Sequence, residues 1–176
     1  KHEGDYQRFY GRKYDFIVDY INVLNPKEIK TFSHVSIRNR TYYNGFKDTT
    51  FDRALIYNSH QTSGVMYLDK DKAFDLSPAN LYTPIKTADD TYRISGVRDN
   101  TVSNANPIWD SSWNIKQFSY YIDKMPNIAN IDINQSLFTR QRFKDYYLGL
   151  RLFYNPVKNE KIVVDIIDTE YSNRNR

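Results

Sequence analysis

Two runs near the end of the chain decide the fold: YYLGLRLFY at Tyr146–Tyr154 and KIVVDIID at Lys161–Asp168. Both are rich in the β-branched, aromatic and other apolar residues that suit strands. The residues that join them, Asn155–Glu160, contain proline and two asparagines, which favour turns. We therefore predict two consecutive strands that pair as a hairpin with a long loop.

Runs of the same character recur upstream, without amphipathic helices between them. Asn44-Gly45 and Ser63-Gly64 are predicted turns, and one short helix is predicted at Ser136–Phe143. This order favours a mainly β fold, an antiparallel β-sandwich-like domain with long loops and at most one or two short helices. The upstream strands are predicted at residues 14–23, 30–38, 51–58, 65–68, 91–97 and 114–122.

The domain organisation follows from where these strands begin and end. Residues 1–13 are charged and aromatic without a clear period, and we interpret them as an N-terminal arm. Residues 14–171 are predicted to form a single β-rich domain, and residues 172–176 a frayed polar tail. The loops at 69–90 and 99–113 are long for a compact domain. Such loops usually carry function or contact a partner.

The composition combines many large aromatic side chains with an overall polar character. The 176 residues include 16 Tyr, 10 Phe and 2 Trp, yet the mean hydropathy is −0.74. Disordered chains are poor in aromatics, and helical bundles need more Leu and Ala. A tyrosine buries a large ring while its hydroxyl finds a polar partner. The composition is therefore typical of a β-rich domain with wide contact surfaces.

Several functional classes are excluded or disfavoured by composition. The chain has no Cys, which excludes disulfides, thiolate nucleophiles and cysteine-based zinc sites. No run of 18 apolar residues exists, so no membrane-spanning helix is predicted, and no signal peptide is visible. The net charge of +4 comes from basic residues spread along the chain, which favours a mixed solvated surface over a nucleic-acid-binding stripe. No glycine-rich phosphate loop is present, and no cofactor is predicted.

Two groups of residues contain possible metal ligands, and neither is predicted to form a metal site. His34, His60 and Asp52 lie on or near strands that could converge, but their spacing does not require it. Hydrogen-bonded histidines are the favoured interpretation. The run from Asp69 through Asp71 to Asp75 is similar to the start of a calcium loop.

That calcium-loop interpretation fails at the two positions that matter most. An EF-hand needs Gly at its sixth position and a bidentate Glu at its twelfth, and this chain has Phe74 and Asn80 there. A solvated loop is favoured instead.

No G-x-S-x-G elbow, the motif that carries the nucleophilic serine of many hydrolases, is present. A pair of Asp carboxyls suited to glycoside hydrolysis would meet only in space, so the sequence leaves that alternative open. No catalytic residue is predicted, and the chain is not expected to be an enzyme.

The candidate functional residues are large aromatic side chains. Tyr6, Phe9 and Tyr10 alternate with basic residues in the N-terminal arm, and Trp109 and Trp113 lie four residues apart. Anchoring at a protein interface is the commoner role of such side chains. Stacking on bases or sugars is the alternative. A tryptophan platform of this kind would make the chain a carbohydrate-binding β-sandwich for host adhesion.

The order of strands and aromatics resembles the C-terminal region of the tail muzzle (nozzle-like) structural proteins of crAss-like bacteriophages. The Asn-, Tyr-, Ile- and Lys-rich composition is similar as well. The resemblance covers residues 14–171 and is one of order and character, without a signature motif. It is carried by Lys30-Thr31-Phe32 at a strand start, Phe51–Gly64 ending in a turn, Trp109–Tyr121, Arg142–Tyr154 and Ile162–Tyr171.

The resemblance implies a virion structural protein located in the phage tail. The implied partners are copies of the chain in a cyclic ring, often of six subunits, together with the upstream part of the same chain and other tail proteins. The ring would extend and close the tail channel until infection opens it, with no small-molecule substrate. The start at Lys1 without Met is expected for a C-terminal fragment released by maturation cleavage, or for a chain lacking its true start.

Overall fold

A computed structural model describes residues 5–23, 25–69, 84–99, 141–155 and 158–173. Across these ranges the protein is all-β, with several antiparallel sheets that include a curled half-barrel and with no helix. The predicted antiparallel β fold is confirmed. The strands are β1 (Arg8–Phe9), β2 (Arg12–Lys13), β3 (Phe16–Asn22), β4 (Lys30–Tyr42), β5 (Phe46–Lys47), β6 (Arg53–Tyr57), β7 (Thr62–Tyr67), β8 (Ile85–Lys86), β9 (Thr91–Ser95), β10 (Lys144–Asp145), β11 (Leu148–Tyr154) and β12 (Lys161–Asn173).

Strand β4 organises the larger sheet, because it is paired along both of its edges. On one edge β12 runs antiparallel to it over the full length, from Lys161 opposite Tyr42 to Asn173 opposite Lys30. The other edge is shared in turn by β10, β9 and β5, and β8 adds to β9. One long strand therefore fixes the position of five others.

Two bulges keep the apolar side chains of this long ladder on the core side. Phe32 and Val35 are three residues apart, yet both are buried. Strict alternation would place them on opposite faces. Ser33 is the extra residue of a bulge opposite Glu170 and Tyr171, and Asp165 is the extra residue of a second bulge on β12. Because each bulge adds one residue, the apolar side chains beyond it face the core again.

The second sheet has the order β3-β11-β6-β7, with β11 in the middle. Leu148, Leu150, Leu152 and Tyr154 alternate along β11 and are almost completely buried. On the opposite face, Arg151 pairs across to Asp19 of β3. Its Nε and Nη2 donate to the two carboxylate oxygens at 2.5 and 2.8 Å. The predicted strand at residues 146–154 is confirmed, although it begins at Leu148.

The core lies between the inward faces of the two sheets. At the margin of the core, β3 and β12 contribute apolar side chains that are only partly buried. These are Val18, Tyr20, Ile162, Val164, Ile167 and Tyr171. The core proper consists of Phe32, Val35, Ile37, Phe51, Ala54, Ile56, Met66, Leu68, Ile94, Val97, Phe143, Leu148, Leu150, Leu152 and Tyr154.

The predicted hairpin between the last two strand-like runs is wrong. Strand β11 pairs with β3 and β6, whereas β12 pairs with β4 in the other sheet. The chain therefore passes from one sheet to the other between Tyr154 and Lys161. Stacked sheets lie about 10 Å apart, a distance that six residues span easily. Periodicity identified both strands, but it carries no information about which neighbours they choose.

The predicted turn at Ser63-Gly64 is also wrong. Both residues lie inside β7, where they form a bulge opposite Ile56. Gly64 adopts a positive φ of 66°, which the bulge requires, and the Ser63 hydroxyl accepts a hydrogen bond from the Ile56 amide at 2.9 Å. The turn lies earlier, at residues 58–61, where Asn58 Oδ1 accepts the amides of His60 and Gln61. The Asn44-Gly45 turn between β4 and β5 is confirmed.

Other predicted boundaries differ or fall outside the described residues. Of the predicted helix, residues 136–140 lie outside the described ranges, whereas residues 141–143 are irregular and bury Phe143. Within the predicted loop at 69–90, Ile85–Lys86 forms a strand on β9. Strand β12 continues to Asn173, two residues beyond the domain end predicted at 171. The predicted strand at 114–122 lies outside the described residues.

Gly149 has a packing role that sequence alone did not reveal. It pairs with Tyr57 across β11 and β6, and the Tyr57 ring lies directly over it. A Cβ at this position would overlap three ring atoms of Tyr57. Burial raises the pKa of the Tyr57 hydroxyl to about 12. The glycine thus creates the space in which a large aromatic ring packs on the sheet.

Replacing Gly149 with alanine should therefore destabilise the protein by about 1–3 kcal/mol, the usual cost of overpacking. Chemical denaturation of Gly149→Ala and wild type measures this difference. In a Tyr57→Ala background the ring is gone, so Gly149→Ala should cost much less. An equal cost in both backgrounds would show that the glycine is needed for another reason.

Candidate functional site

The candidate site is a short β-ribbon at residues 5–14, here called the N-terminal ribbon. Strands β1 and β2 pair antiparallel through a two-residue turn at Tyr10-Gly11. Both turn residues have positive φ, 50° for Tyr10 and 76° for Gly11. That is the type I′ geometry favoured in two-residue hairpins. The predicted arm is therefore an ordered hairpin over its described part.

Hydrogen bonds attach the ribbon to the loop between β11 and β12. The Tyr6 amide donates to Asn159 Oδ1 at 2.7 Å, and Gln7 Nε2 donates to the Tyr154 carbonyl at 3.2 Å. The ribbon is closed at its base by the Tyr14 amide, which donates to the Gln7 carbonyl at 2.9 Å. Among the described residues, these bonds tie the ribbon to the body of the protein at its base.

A polar network lies beside that attachment point. The Tyr154 hydroxyl donates to Glu160 Oε2 at 2.7 Å, and Lys47 Nζ contacts the other carboxylate oxygen at 2.5 Å. Burial and the neighbouring Glu160 carboxylate together raise the pKa of the Tyr154 hydroxyl. Because Tyr154 and Glu160 lie at the two ends of the loop that carries Asn159, their hydrogen bond joins the ends of that loop.

Three of the five predicted interface residues lie together on the ribbon. The side chains of Tyr6, Phe9 and Tyr10 are 52%, 63% and 105% exposed. Within the described part of the chain, Phe9 packs edge to face on Tyr14, with ring centroids 6.1 Å apart. Trp109 and Trp113 lie outside the described residues. The interface role of all five stays a prediction.

The exposed apolar surface continues from the ribbon along β3, which the sequence analysis did not single out. Phe16, Ile17, Ile21 and Val23 are each more than one third exposed. Val18 and Tyr20 face the core, so β3 carries apolar side chains on both faces. The sequence FIVDYI at residues 16–21 already indicates this, because apolar residues occupy both odd and even positions instead of alternating with polar ones.

The ribbon also carries unfavourable local features. Tyr10 and Gln7 adopt positive φ values, 50° and 63°, that non-glycine residues rarely adopt. Gln7 Oε1 is buried without a hydrogen-bond partner among the described residues. Asparagine is the usual residue at the first position of such a turn. Local strain with an exposed aromatic is typical of a residue selected for function over stability.

The two candidate histidines are not brought together. His34 Nε2 lies 2.9 Å from Glu170, whereas His60 lies in the turn between β6 and β7, where its Nδ1 is 3.7 Å from Asp145. Asp52 accepts the amide of Asn155 at 2.5 Å. No cluster of three or more possible metal ligands occurs within the described ranges. Of the considered calcium-loop residues, Asp69 is described, and Asp71 and Asp75 are not.

Ser59, His60 and Asp145 have the residue types of a hydrolase triad but not its geometry. The Ser59 hydroxyl donates directly to Asp145 Oδ2 at 2.5 Å, and its Oγ lies 2.9 Å from His60 Nδ1. A triad needs the histidine between serine and carboxylate, with one ring nitrogen toward each. Here Nδ1 faces both. Asp145 also accepts the Ser59 amide, so the cluster stabilises the turn at residues 58–61.

No described helix is long and apolar enough to cross a membrane. A scan against protein-family models found no matching family, and a search of curated proteins found no match. The function is therefore proposed from the chain's own surface and from the resemblance described above.

The strain at Tyr10 generates a first prediction for the site. Tyr10→Asn should stabilise the ribbon, because asparagine tolerates the left-handed conformation and the tyrosine ring is fully exposed. Amide exchange of Tyr14, whose N–H closes the ribbon, should slow by about threefold. Tyr10→Val should accelerate it, because β-branched residues disfavour positive φ. Faster exchange in Tyr10→Asn would show that the ring itself holds the ribbon.

His34 generates a prediction about pH. Burial, followed by the Arg93 guanidinium, lowers the pKa of His34 below its usual 6.5, despite Glu170 nearby. Between the two pKa values the unfolded chain binds more protons, so stability present above pH 6.5 is lost as pH falls toward the folded pKa. His34→Gln should reduce the slope of stability against pH in this window, measured by urea denaturation. Arg93→Gln should reduce it partly, and an unchanged slope in both would contradict the assignment.

Proposed function

We propose that this chain is a structural subunit of a bacteriophage tail, corresponding to the C-terminal region of a muzzle protein. It would assemble with copies of itself into a ring that extends and closes the tail channel. Its role in this proposal is mechanical and not catalytic. The upstream part of the same chain and other tail proteins would be its further partners.

The observation that carries the proposal is the fully exposed Tyr10 at a strained turn. The Tyr10 ring is fully exposed, so burial of the ring does not stabilise the described part of the chain. Its backbone conformation is unfavourable as well. Large aromatics are the commonest anchors of protein interfaces. A binding partner that covers the ring would supply the missing stabilisation.

The surroundings of Tyr10 support the same interpretation. Phe9 and Tyr6 lie on the same ribbon, and the exposed Ile17 and Ile21 extend the apolar surface along β3. Contiguous apolar patches rimmed by polar residues usually mark interaction sites. Here the rim is basic, because Arg8, Arg12 and Lys13 also lie on the ribbon.

The architecture suits a ring subunit. A long antiparallel ladder joins β4 and β12. A buried hydrogen bond between Tyr154 and Glu160 joins the two ends of the loop between β11 and β12. A cyclic ring uses two different patches on each subunit, which do not need to resemble each other. The exposed apolar surface supplies one patch. The resemblance to muzzle proteins supplies the expectation of a tail location.

The proposal predicts that the purified chain assembles through the ribbon. Wild type should form a closed oligomer, detected by native mass spectrometry and visible as rings by electron microscopy. Phe9→Ser should weaken subunit contact by about tenfold or more, because truncating an interface anchor typically costs over 1 kcal/mol. Sedimentation velocity over a concentration series measures the change.

Phe46→Ser is the matched control. Phe46 is 52% exposed and also lies in a two-residue strand beside a turn, but its strand β5 pairs with β4 in the larger sheet. It should leave assembly unchanged. A chain that stays monomeric at high concentration would contradict the proposal, and binding of that monomer to a glycan array would favour the carbohydrate-binding alternative. Antibody labelling away from the tail end of virions would contradict the muzzle assignment.

A further inference from the structure

The face of the second sheet that points away from the core is itself buried along β6. Ala54 and Ile56 belong to the core, and Leu55 and Tyr57 alternate with them, so these two side chains point to the other face. Leu55 is nevertheless 1% exposed and Tyr57 4% exposed. An antiparallel sheet can leave its second face to water, so burial of this degree requires residues that pack over that face.

The buried part of this outer face extends from β6 to β11 and ends before β3. Arg151 lies opposite Leu55 in the ladder and is only 5% exposed. On β3, Asp19 lies opposite Arg151 and is exposed, and Ile21 on the same face is 44% exposed. We call the outer surface formed by Leu55, Tyr57 and Arg151 the β6–β11 face.

None of the described strands lies over the β6–β11 face. The larger sheet packs on the core side of β6, and the N-terminal ribbon is bonded at the end of β11, to Tyr154 and Asn159. The described turn at residues 58–61 lies beyond the end of β6. Because the burial of Leu55 and Tyr57 is that of a single chain, the residues that cover them belong to the same chain.

The two ends of the segment 100–140 lie beside this face. The Asp99 amide donates to the Gln141 carbonyl at 2.9 Å, so the chain leaves and returns at one place. The Asp99 carboxylate also accepts the Thr62 amide at 3.3 Å, and Thr62 is the cross-strand partner of Tyr57. The segment therefore begins and ends next to the β6–β11 face.

The segment 100–140 also has the length and the composition to cover an apolar face. It contains Trp109 and Trp113 and the aromatic run Phe118–Ile122. The segment 70–83 is shorter, and it connects β7 in the second sheet to β8 in the larger sheet. A connection that has to span the distance between two sheets leaves fewer residues to cover a face.

We propose that residues 100–140 pack over the β6–β11 face and bury Leu55 and Tyr57. This inference concerns a single chain, so it goes beyond the proposed function and does not depend on it. It accounts for the position of the exposed apolar side chains, because Ile17 and Ile21 share the outer face but lie on β3, beyond the buried part. The N-terminal ribbon and β3 are then the side left open to a partner.

A photoreactive side chain at the margin of the face tests the proposal. Val65 is the cross-strand partner of Leu55 and is only partly buried, so we would replace it with p-benzoylphenylalanine in the full chain. After irradiation and trypsin digestion, mass spectrometry should find peptides from residues 100–140 linked to the peptide of residue 65. Their yield should be about tenfold higher than with the same group at Asn44, because proximity within one chain raises the effective concentration. Asn44 is exposed in the β4–β5 turn.

A second variant protects the test against a failure to fold. Val65→Cys carries a smaller side chain, and labelling it with benzophenone maleimide is specific because the chain has no other cysteine. Thermal unfolding checks that each variant retains wild-type stability. Links to residues 100–140 from either variant support the proposal, and they should persist at dilutions at which the chain is monomeric.

Three results would overturn the proposal. The first is a main product linked to residues 70–83. The second is a main product linked to another copy, detected in a mixture of heavy and light chains. The third is a yield of 100–140 peptides no higher than that of the Asn44 control. None of these results bears on ring assembly, which sedimentation velocity measures separately.

Discussion

The ladder between β4 and β12 is the constraint on which the rest of the structure depends. Both strands are 13 residues long, and β4 is paired on both edges. Over this length the inward-facing positions must stay on the core side of both strands. The two bulges at Ser33 and Asp165 each insert one extra residue and keep the apolar side chains facing the core. Because β9, β10 and β5 pair with the same strand, a slip in this ladder would displace the whole sheet.

The same ladder places β12 at an edge of the described part of its sheet. Because β4 pairs with one edge of β12, the other edge has no strand partner among the described residues, and the same is true of the outer edge of β3. The half-buried side chains there are a consequence of topology, since both strands are the last members of their sheets. An isolated domain usually covers or charges such an edge. A subunit of an assembly can leave the task to its neighbour.

Periodicity predicted which segments are strands, and it failed on which strands pair. Tyr146–Tyr154 and Lys161–Asp168 were correctly identified as β, and their adjacency in sequence suggested a hairpin. Each is instead a member of a different sheet. Hairpin pairing is a local rule, whereas the choice between neighbours depends on which side chains bury most area together. Gly64 gives a similar case, because a glycine with positive φ serves a turn and a bulge equally well.

The sequence by itself determined the β class, the absence of thiol chemistry, and the aromatic and basic character of residues 6–14. These properties depend on residue type and local period, which need no knowledge of distant contacts. Only the tertiary structure decided that Tyr10 lies fully exposed at a strained turn, that Gly149 makes room for the Tyr57 ring, and that β3 and β12 lie at the edges of their sheets. Those features arise from pairing between residues far apart in the chain, and single-sequence patterns do not encode which of the possible pairings has the lowest free energy.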